Sequence, residues 1–135
     1  MIAQFPELGD IMPFAYWCVL IAAVLPIVWV MYAKRGSRDN NDPRDGVGQL
    51  PDAKRHAYAA HLNAYENFPF FAVAVIVATT MGAPVSTVNW LAGLYVLIRI
   101  AHGLFYIGNI APARSLSFLA GFLVNVAIFV LPAFK

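Results

Sequence analysis

Four long apolar stretches constrain this chain more than any other feature of its sequence. They cover residues 11–32, 56–81, 85–106 and 115–134. An α-helix needs about 20 mostly apolar residues to cross a hydrocarbon core about 30 Å thick. Because lipid offers the backbone no hydrogen-bond partners, segments of this length cross a bilayer as helices. The sequence therefore predicts an all-α integral membrane protein, a four-transmembrane-helix bundle that forms a single domain over residues 1–135.

The composition agrees with lipid as the main solvent. Hydrophobic residues make up 61% of the chain and charged residues 12%, whereas a soluble domain has about 25% charged residues. Glu7 and Asp10 precede the first apolar stretch and no basic residue comes before Lys34, a pattern unlike that of a signal peptide. We therefore expect the first span to remain in the mature protein.

The basic residues predict the orientation of the chain. Six of the nine lysines and arginines lie in the polar connection 33–55, and Arg114 lies in the connection between spans 3 and 4. With four spans, these two connections are on the same side of the membrane. Since loops rich in lysine and arginine stay in the cytoplasm, we expect both connections to be cytoplasmic and both termini to lie outside the cytoplasm.

Several polar side chains lie inside or at the ends of the spans, where they are costly and usually functional. The set comprises Asn63 and Glu66 in span 2, Arg99, His102 and Tyr106 in span 3, and Arg114 and Ser115 at the start of span 4. The three residues of span 3 follow i, i+3, i+7 spacing, so they share one helix face. We expect the whole set to converge on one layer near the cytoplasmic surface.

Two interpretations of this layer are open. In the first, Glu66 pairs with Arg99 and the remaining polar groups hold the helices together. In the second, the layer is a binding site for a small anion, in which Arg99 and Arg114 supply positive charge and Glu66 recognises an amino group. A zwitterionic peptide such as glutathione matches that set of charges, and an arginine near its thiol would favour the reactive thiolate. The histidines lack further ligands at metal-binding spacing, so we expect no metal site.

Two motifs carry a family resemblance. AHLNAYENFPFF, residues 60–71, and RIAHGLFYIGNIAPARS, residues 99–115, resemble bacterial members of the membrane-associated proteins in eicosanoid and glutathione metabolism (MAPEG). The resemblance implies a homotrimer of four-helix subunits in the bacterial inner membrane, with glutathione bound as cosubstrate between neighbouring subunits. When residue roles are carried over from these motifs, the resemblance implies that glutathione is bound by Asn63, Glu66, Arg99, His102 and Tyr106. It also implies that Arg114 and Ser115 are catalytic.

The resemblance implies a glutathione-dependent membrane transferase or peroxidase, acting on lipophilic electrophiles or lipid hydroperoxides. The alternative is a non-catalytic membrane protein of the same fold that binds a lipid or a protein partner. Leu62 bears on this choice. Eukaryotic members resemble AHRN where this chain has AHLN, so Leu62 stands in place of a glutathione-binding arginine. A proton-coupled drug exporter is disfavoured, since such exporters carry a glutamate in the first span and span 1 here has no charge.

Overall fold

The computed structural model describes residues 12–36 and 41–134. Its long helices are α1 (Phe14–Lys34), α2 (Asp52–Thr80), α3 (Val85–Ile107) and α4 (Ala111–Val130), with short 3-10 helices at Val47–Gln49 and Leu131–Phe134. All regular structure in the described residues is helical. Four helical segments are long and apolar enough to cross a membrane. This confirms the predicted all-α architecture with four membrane helices.

Two helices begin earlier than the apolar stretches that predicted them. α2 begins at Asp52, four residues before the predicted start at residue 56, and it directly follows Pro51. Proline has no N–H to satisfy, and an aspartate in the first turn is favoured by the helix dipole. α4 begins at Ala111, so Arg114 lies in its first turn. Hydrophobicity marks the part of a helix that lies in lipid. The charged residues in the first turns of α2 and α4 precede that part, so the apolar stretches began too late.

Short turns join the last three helices. Between α2 and α3, Gly82 has a positive φ of 76°, a conformation that glycine adopts without steric cost. Between α3 and α4, Asn109 takes the left-handed conformation with a φ of 57°, and the N–H of Ile110 donates to the carbonyl oxygen of Phe105 at 2.9 Å. This second turn places the end of α3 next to the first turn of α4.

Small residues and stacked rings make up much of the core. Alanines from the first three helices are buried at the helix contacts: Ala15, Ala22, Ala60, Ala64, Ala74, Ala78 and Ala92. Small side chains let membrane helices approach closely. Phe71 of α2 stacks on Tyr95 of α3 with 4.0 Å between ring centroids, so these two residues lie at the same depth in the bundle.

Polar contacts also join α1 to α2. Nδ1 of His61 lies 2.8 Å from the carbonyl oxygen of Pro26. Because that oxygen can only accept, Nδ1 carries the hydrogen and donates it. The contact ties α2 to the proline position of α1, where helices often bend.

Candidate functional site

A cleft lies where α3 ends and α4 begins, against the adjacent part of α2. Its volume is about 200 Å³, and it is lined by Asn63, His102, Tyr106, Arg114, Ser115 and Phe118. Five of these six residues were predicted as site residues from the sequence. The short α3–α4 turn brings them together, because it sets the last turns of α3 beside the first turns of α4. The cleft therefore brings together, from three helices, five of the seven residues of the polar layer expected from the sequence.

Arg114 supplies the positive charge of the cleft. Its guanidinium lies 4.7 Å from the centroid of the Tyr106 ring, a cation–π contact that holds the planar group in place. The Tyr106 ring in turn packs edge-on against His102, with 5.6 Å between centroids. Arg114 forms no ion pair with any described residue, since the one ion pair among them joins Arg55 to Asp52. Its charge is thus available to an anion.

Asn63 is oriented by Arg99, which lies on the neighbouring helix. Nη2 of Arg99 donates to Oδ1 of Asn63 at 2.6 Å. Because arginine can only donate, the Asn63 atom that faces it must be the oxygen. The Asn67 amide donates to the same oxygen at 3.3 Å and to the Asn63 carbonyl oxygen at 2.8 Å. The NH₂ group of Asn63 is therefore left to donate to a molecule in the cleft.

The cleft as a whole is rich in hydrogen-bond donors. Asn63 offers an amide, Arg114 a guanidinium, and Tyr106 and Ser115 hydroxyl groups, while none of the described residues that line the cleft is a carboxylate. The His102 imidazole can donate or accept. Charge-assisted hydrogen bonds from such donors suit a carboxylate or a thiolate. The arrangement is thus suited chemically to binding a small anion.

Two predicted site residues do not line the cleft. Arg99 is 4% exposed and meets the cleft through Asn63, so it acts as a positioning residue in this geometry. Glu66 is exposed on the surface of α2. Asn63 and Asn67 lie one turn apart on the α2 face toward α3. Glu66 is turned from Asn67 by about 100°.

The interpretation in which Glu66 pairs with Arg99 is wrong. Arg99 bonds to Asn63 instead, and the described residues contain no ion pair that involves Glu66. Helix geometry is the reason. The α2 face that meets α3 is occupied by Asn63 and Asn67, and this leaves Glu66 on a neighbouring face. Phe70, one turn further along that same face, contacts Phe122 of α4 with 5.8 Å between ring centroids.

Sequence reasoning missed Phe118 as a lining residue. Asn67 lies at i+4 from Asn63 inside span 2, so the sequence predicts that the two share a helix face. The structure adds that the Asn67 amide supports Asn63. Phe118 gave no signal, since an aromatic residue in an apolar stretch looks the same whether it faces lipid or a cleft. Its place in the cleft is known only from the structure, in which it lies one turn after Arg114 and Ser115 on the same side of α4.

The family model that matches this chain covers residues 14–134 and is described as the MAPEG family. The chain belongs to the MAPEG family. The match includes all four long helices and every residue of the cleft, and it confirms the family resemblance of the two motifs. Membership, together with the four apolar helices, identifies an integral membrane protein of a glutathione-related family. No curated protein matches the sequence.

Proposed function

We propose that this MAPEG protein is a glutathione-dependent membrane transferase or peroxidase whose glutathione binds in the cleft of α2, α3 and α4. The observation that carries the proposal is the convergence of the Arg114 charge with the donors of Asn63, Tyr106 and Ser115 around one cleft. Among the described residues, no carboxylate lines this cleft. Glutathione has two carboxylates and a thiol that can ionise. Each of these groups is matched by a donor, and membership of the family makes glutathione the first ligand to test.

The proposed chemistry rests on the thiolate of glutathione. A guanidinium next to the thiol favours its ionised form, which is the nucleophile. Arg114 is the proposed thiolate-binding residue, and Ser115 lies next to it in the first turns of α4. A hydroxyl of Ser115 or Tyr106 adds a neutral donor. With an electrophile, the sulfur forms a bond to carbon while a leaving group departs or a proton adds to the substrate. With a hydroperoxide, the sulfur attacks an oxygen, the O–O bond breaks, and the alcohol is released. A second glutathione then converts the sulfenic acid to the disulfide and water.

A row of phenylalanines supports a lipophilic second substrate. Phe118 lines the cleft, and Phe122 and Phe129 follow it along α4. Both of these rings contact Phe70 of α2, with 5.8 and 6.4 Å between centroids. Phe70 and Phe129 also border an apolar recess of about 260 Å³ on the same face. This surface leads from the cleft into the membrane, so an apolar substrate can approach sideways from the bilayer.

Glu66 supports assembly into a homotrimer. It is an exposed carboxylate on a membrane-spanning helix and pairs with no described cation. Because a carboxylate in contact with lipid is costly, we propose that a neighbouring subunit covers it. In the trimer Glu66 would then face a site between subunits, where it can recognise the amino group of glutathione.

The decisive experiment is calorimetric titration of the purified protein in detergent with millimolar glutathione. We expect wild type to bind, Arg114→Ala to bind more weakly, and Arg55→Ala to match wild type. Arg55→Ala is a matched control, because it removes the same charge from an exposed i,i+3 pair outside the cleft. Absence of binding by the wild type would contradict the proposal.

The alternative function, a non-catalytic protein that binds a lipid or a protein partner at the same cleft, is favoured by one residue. Leu62 takes the place of the arginine in the AHRN motif that eukaryotic relatives resemble. It is 46% exposed and lies one turn before Glu66 on α2. Leu62→Arg restores that basic side chain on the same face. Glutathione binding by Leu62→Arg but not by wild type would support the alternative.

A further inference from the structure

A second, larger concavity lies between α1 and α3 and shares no residue with the cleft. Its volume is about 620 Å³. Its walls include Phe14, Cys18 and Ile21 of α1 and Ser86, Gly93 and Leu97 of α3. We call it the α1–α3 groove. It is open on the exposed side of both helices, and its walls are almost entirely apolar.

The length of the groove matches one leaflet of a bilayer. On α3 it extends from Ser86, the second residue of the helix, to Leu97. At a rise of 1.5 Å per residue this is about 16 Å, or roughly half of a 30 Å hydrocarbon core. A lipid acyl chain ends near the middle of the bilayer, as the groove does.

The polarity of the groove follows the order of groups in a phospholipid. Ser86 and Asn89 lie at the end next to the α2–α3 turn, while Ile21 and Leu97 line the deep end. Asn89 is already engaged, because its Oδ1 accepts the N–H of Ala15 at 2.9 Å. Trp90, at the rim, is 81% exposed. Tryptophan is enriched at the level of the lipid head groups.

The floor of the groove is kept open by a glycine. A Cβ at Gly93 would lie 3.2 Å from Cε1 of Phe14, so a larger side chain there would project into the space between the two helices. In a membrane no bulk water can fill an apolar recess, and an empty recess loses dispersion contacts with its walls. Hydrocarbon is therefore the filling that the surroundings supply.

We propose that the α1–α3 groove binds one acyl chain of a phospholipid from the leaflet that adjoins the α2–α3 turn. The chain lies along Cys18, Gly93 and Leu97, and the ester and head group lie near Ser86 and Trp90. This site is independent of the glutathione proposal, because it uses other residues at another depth.

The test is photo-crosslinking of wild-type protein in phosphatidylcholine vesicles that contain a trace of diazirine-labelled phosphatidylcholine. With the diazirine on the terminal chain carbon, we expect labelling at Ile21 and Leu97. With the diazirine near the ester, we expect it at Phe14 and Ser86. Phe71 and Tyr95 lie at the same depth, so Ile76 of α2 lies at about the depth of Trp90. Ile76 is exposed and serves as a control outside the groove.

The expected result is labelling of the groove residues several-fold above Ile76, with the depth order just given. Equal labelling would mean that only ordinary annular lipid is present and would overturn the proposal. Unlabelled groove residues would also overturn it, because that result is expected if a second copy covers the groove.

Retention of the bound phospholipid during purification gives a second test. We expect native mass spectrometry of the detergent-purified protein to find one retained phospholipid per chain in wild type and none in Gly93→Ile. Ala127→Ile, which adds the same side chain to an exposed position on α4, is expected to retain it. Equal phospholipid retention in the two variants would overturn the proposal. Circular dichroism checks that both variants are folded. The crosslinking test holds even if Gly93→Ile does not fold.

Discussion

Asn63 shows how one buried contact decides the chemistry of a binding site. The side chain could present either its oxygen or its NH₂ group to the cleft. Arg99, which can only donate, takes the oxygen at 2.6 Å. The cleft therefore receives a donor from Asn63. Arg99 itself is almost completely buried, so its influence on the cleft passes through this amide.

Asn63→Asp tests that assignment. The new carboxylate would pair with Arg99 at the same distance and place negative charge at the cleft. We expect the affinity for glutathione to fall by about tenfold or more, since hydrogen bonds to charged groups contribute roughly 1.5–3 kcal/mol, while the thermal unfolding midpoint does not fall. Asn89→Asp, the same change at the α1–α3 groove, is the control. Unchanged affinity in Asn63→Asp would show that Asn63 does not contact the anion.

Arg114 is the residue on which the proposed catalysis depends. Its loss removes a charge-assisted hydrogen bond worth roughly 1.5–3 kcal/mol, or about 10- to 150-fold in rate. We expect Arg114→Ala to lower transfer of glutathione to a model electrophile by about that factor. The rate should partly return as pH rises, because loss of the cation raises the pKa of the bound glutathione thiol.

Arg114→Lys separates catalysis from anchoring. A lysine keeps the charge but lacks the planar fork that stacks on Tyr106. We expect it to recover only part of the rate. If both Arg114 variants match an active wild type at every pH, Arg114 does not bind the thiolate and serves only as an interfacial anchor.

Among the contacts between helices, one of the closest joins α1 to α3 beside the cleft. A Cβ at Gly103 would lie 2.3 Å from Cζ2 of Trp29, so the indole lies directly on the α3 backbone. Gly103 follows His102, which lines the cleft. The contact between Trp29 and Gly103 therefore packs α1 against α3 at the level of the cleft.

Gly103→Ala is expected to destabilise the bundle, because the indole cannot move without shifting α1. Overpacking of this kind costs typically 1–3 kcal/mol. The matched control is Gly121→Ala on α4, where a Cβ would meet its nearest neighbours at an ordinary 3.5 Å, and where alanine is the better helix former. Thermal unfolding in detergent gives both midpoints. A Gly103→Ala midpoint at or above that of Gly121→Ala would contradict the proposed contact.

At the scale of the whole molecule, the uneven distribution of basic residues predicts the topology. In a Cys18→Ser background, Asp45→Cys in the 33–55 connection is expected to resist an impermeant maleimide in intact cells. Thr80→Cys, at the opposite end of α2, is expected to react. The reverse pattern would place the 33–55 connection outside the cytoplasm.

Assembly is the second prediction at this scale. We expect light scattering, corrected for bound detergent, to find three chains per particle, because neighbours would cover the exposed Glu66 carboxylate. Glu66→Gln removes the charge while keeping the shape, so its particle mass is expected to stay the same and its glutathione affinity to fall. A monomeric wild type would contradict both the trimer and a site between subunits.

Much of this protein could be predicted from its sequence. Four apolar stretches near 20 residues long determine four helices, because a bilayer accepts no other backbone structure of that length. Helical spacing alone placed His102 and Tyr106 on one face, and the order of the spans put Arg114 at their level. These predictions succeeded because they depend on helical periodicity and on segment length relative to the thickness of the membrane. Both spacing and segment length can be read directly from the sequence.

The partners of each side chain were decided only by the tertiary structure. Spacing could not tell whether Arg99 bonds to Asn63 or to Glu66, because both lie within one turn of α2. A rotation of α2 by about 60°, the angle between positions i and i+3 of an α-helix, exchanges one partner for the other. That rotation is determined by packing between helices, such as the stacking of Phe71 on Tyr95. The α1–α3 groove arises in the same way, since it is the space that packing leaves between two helices.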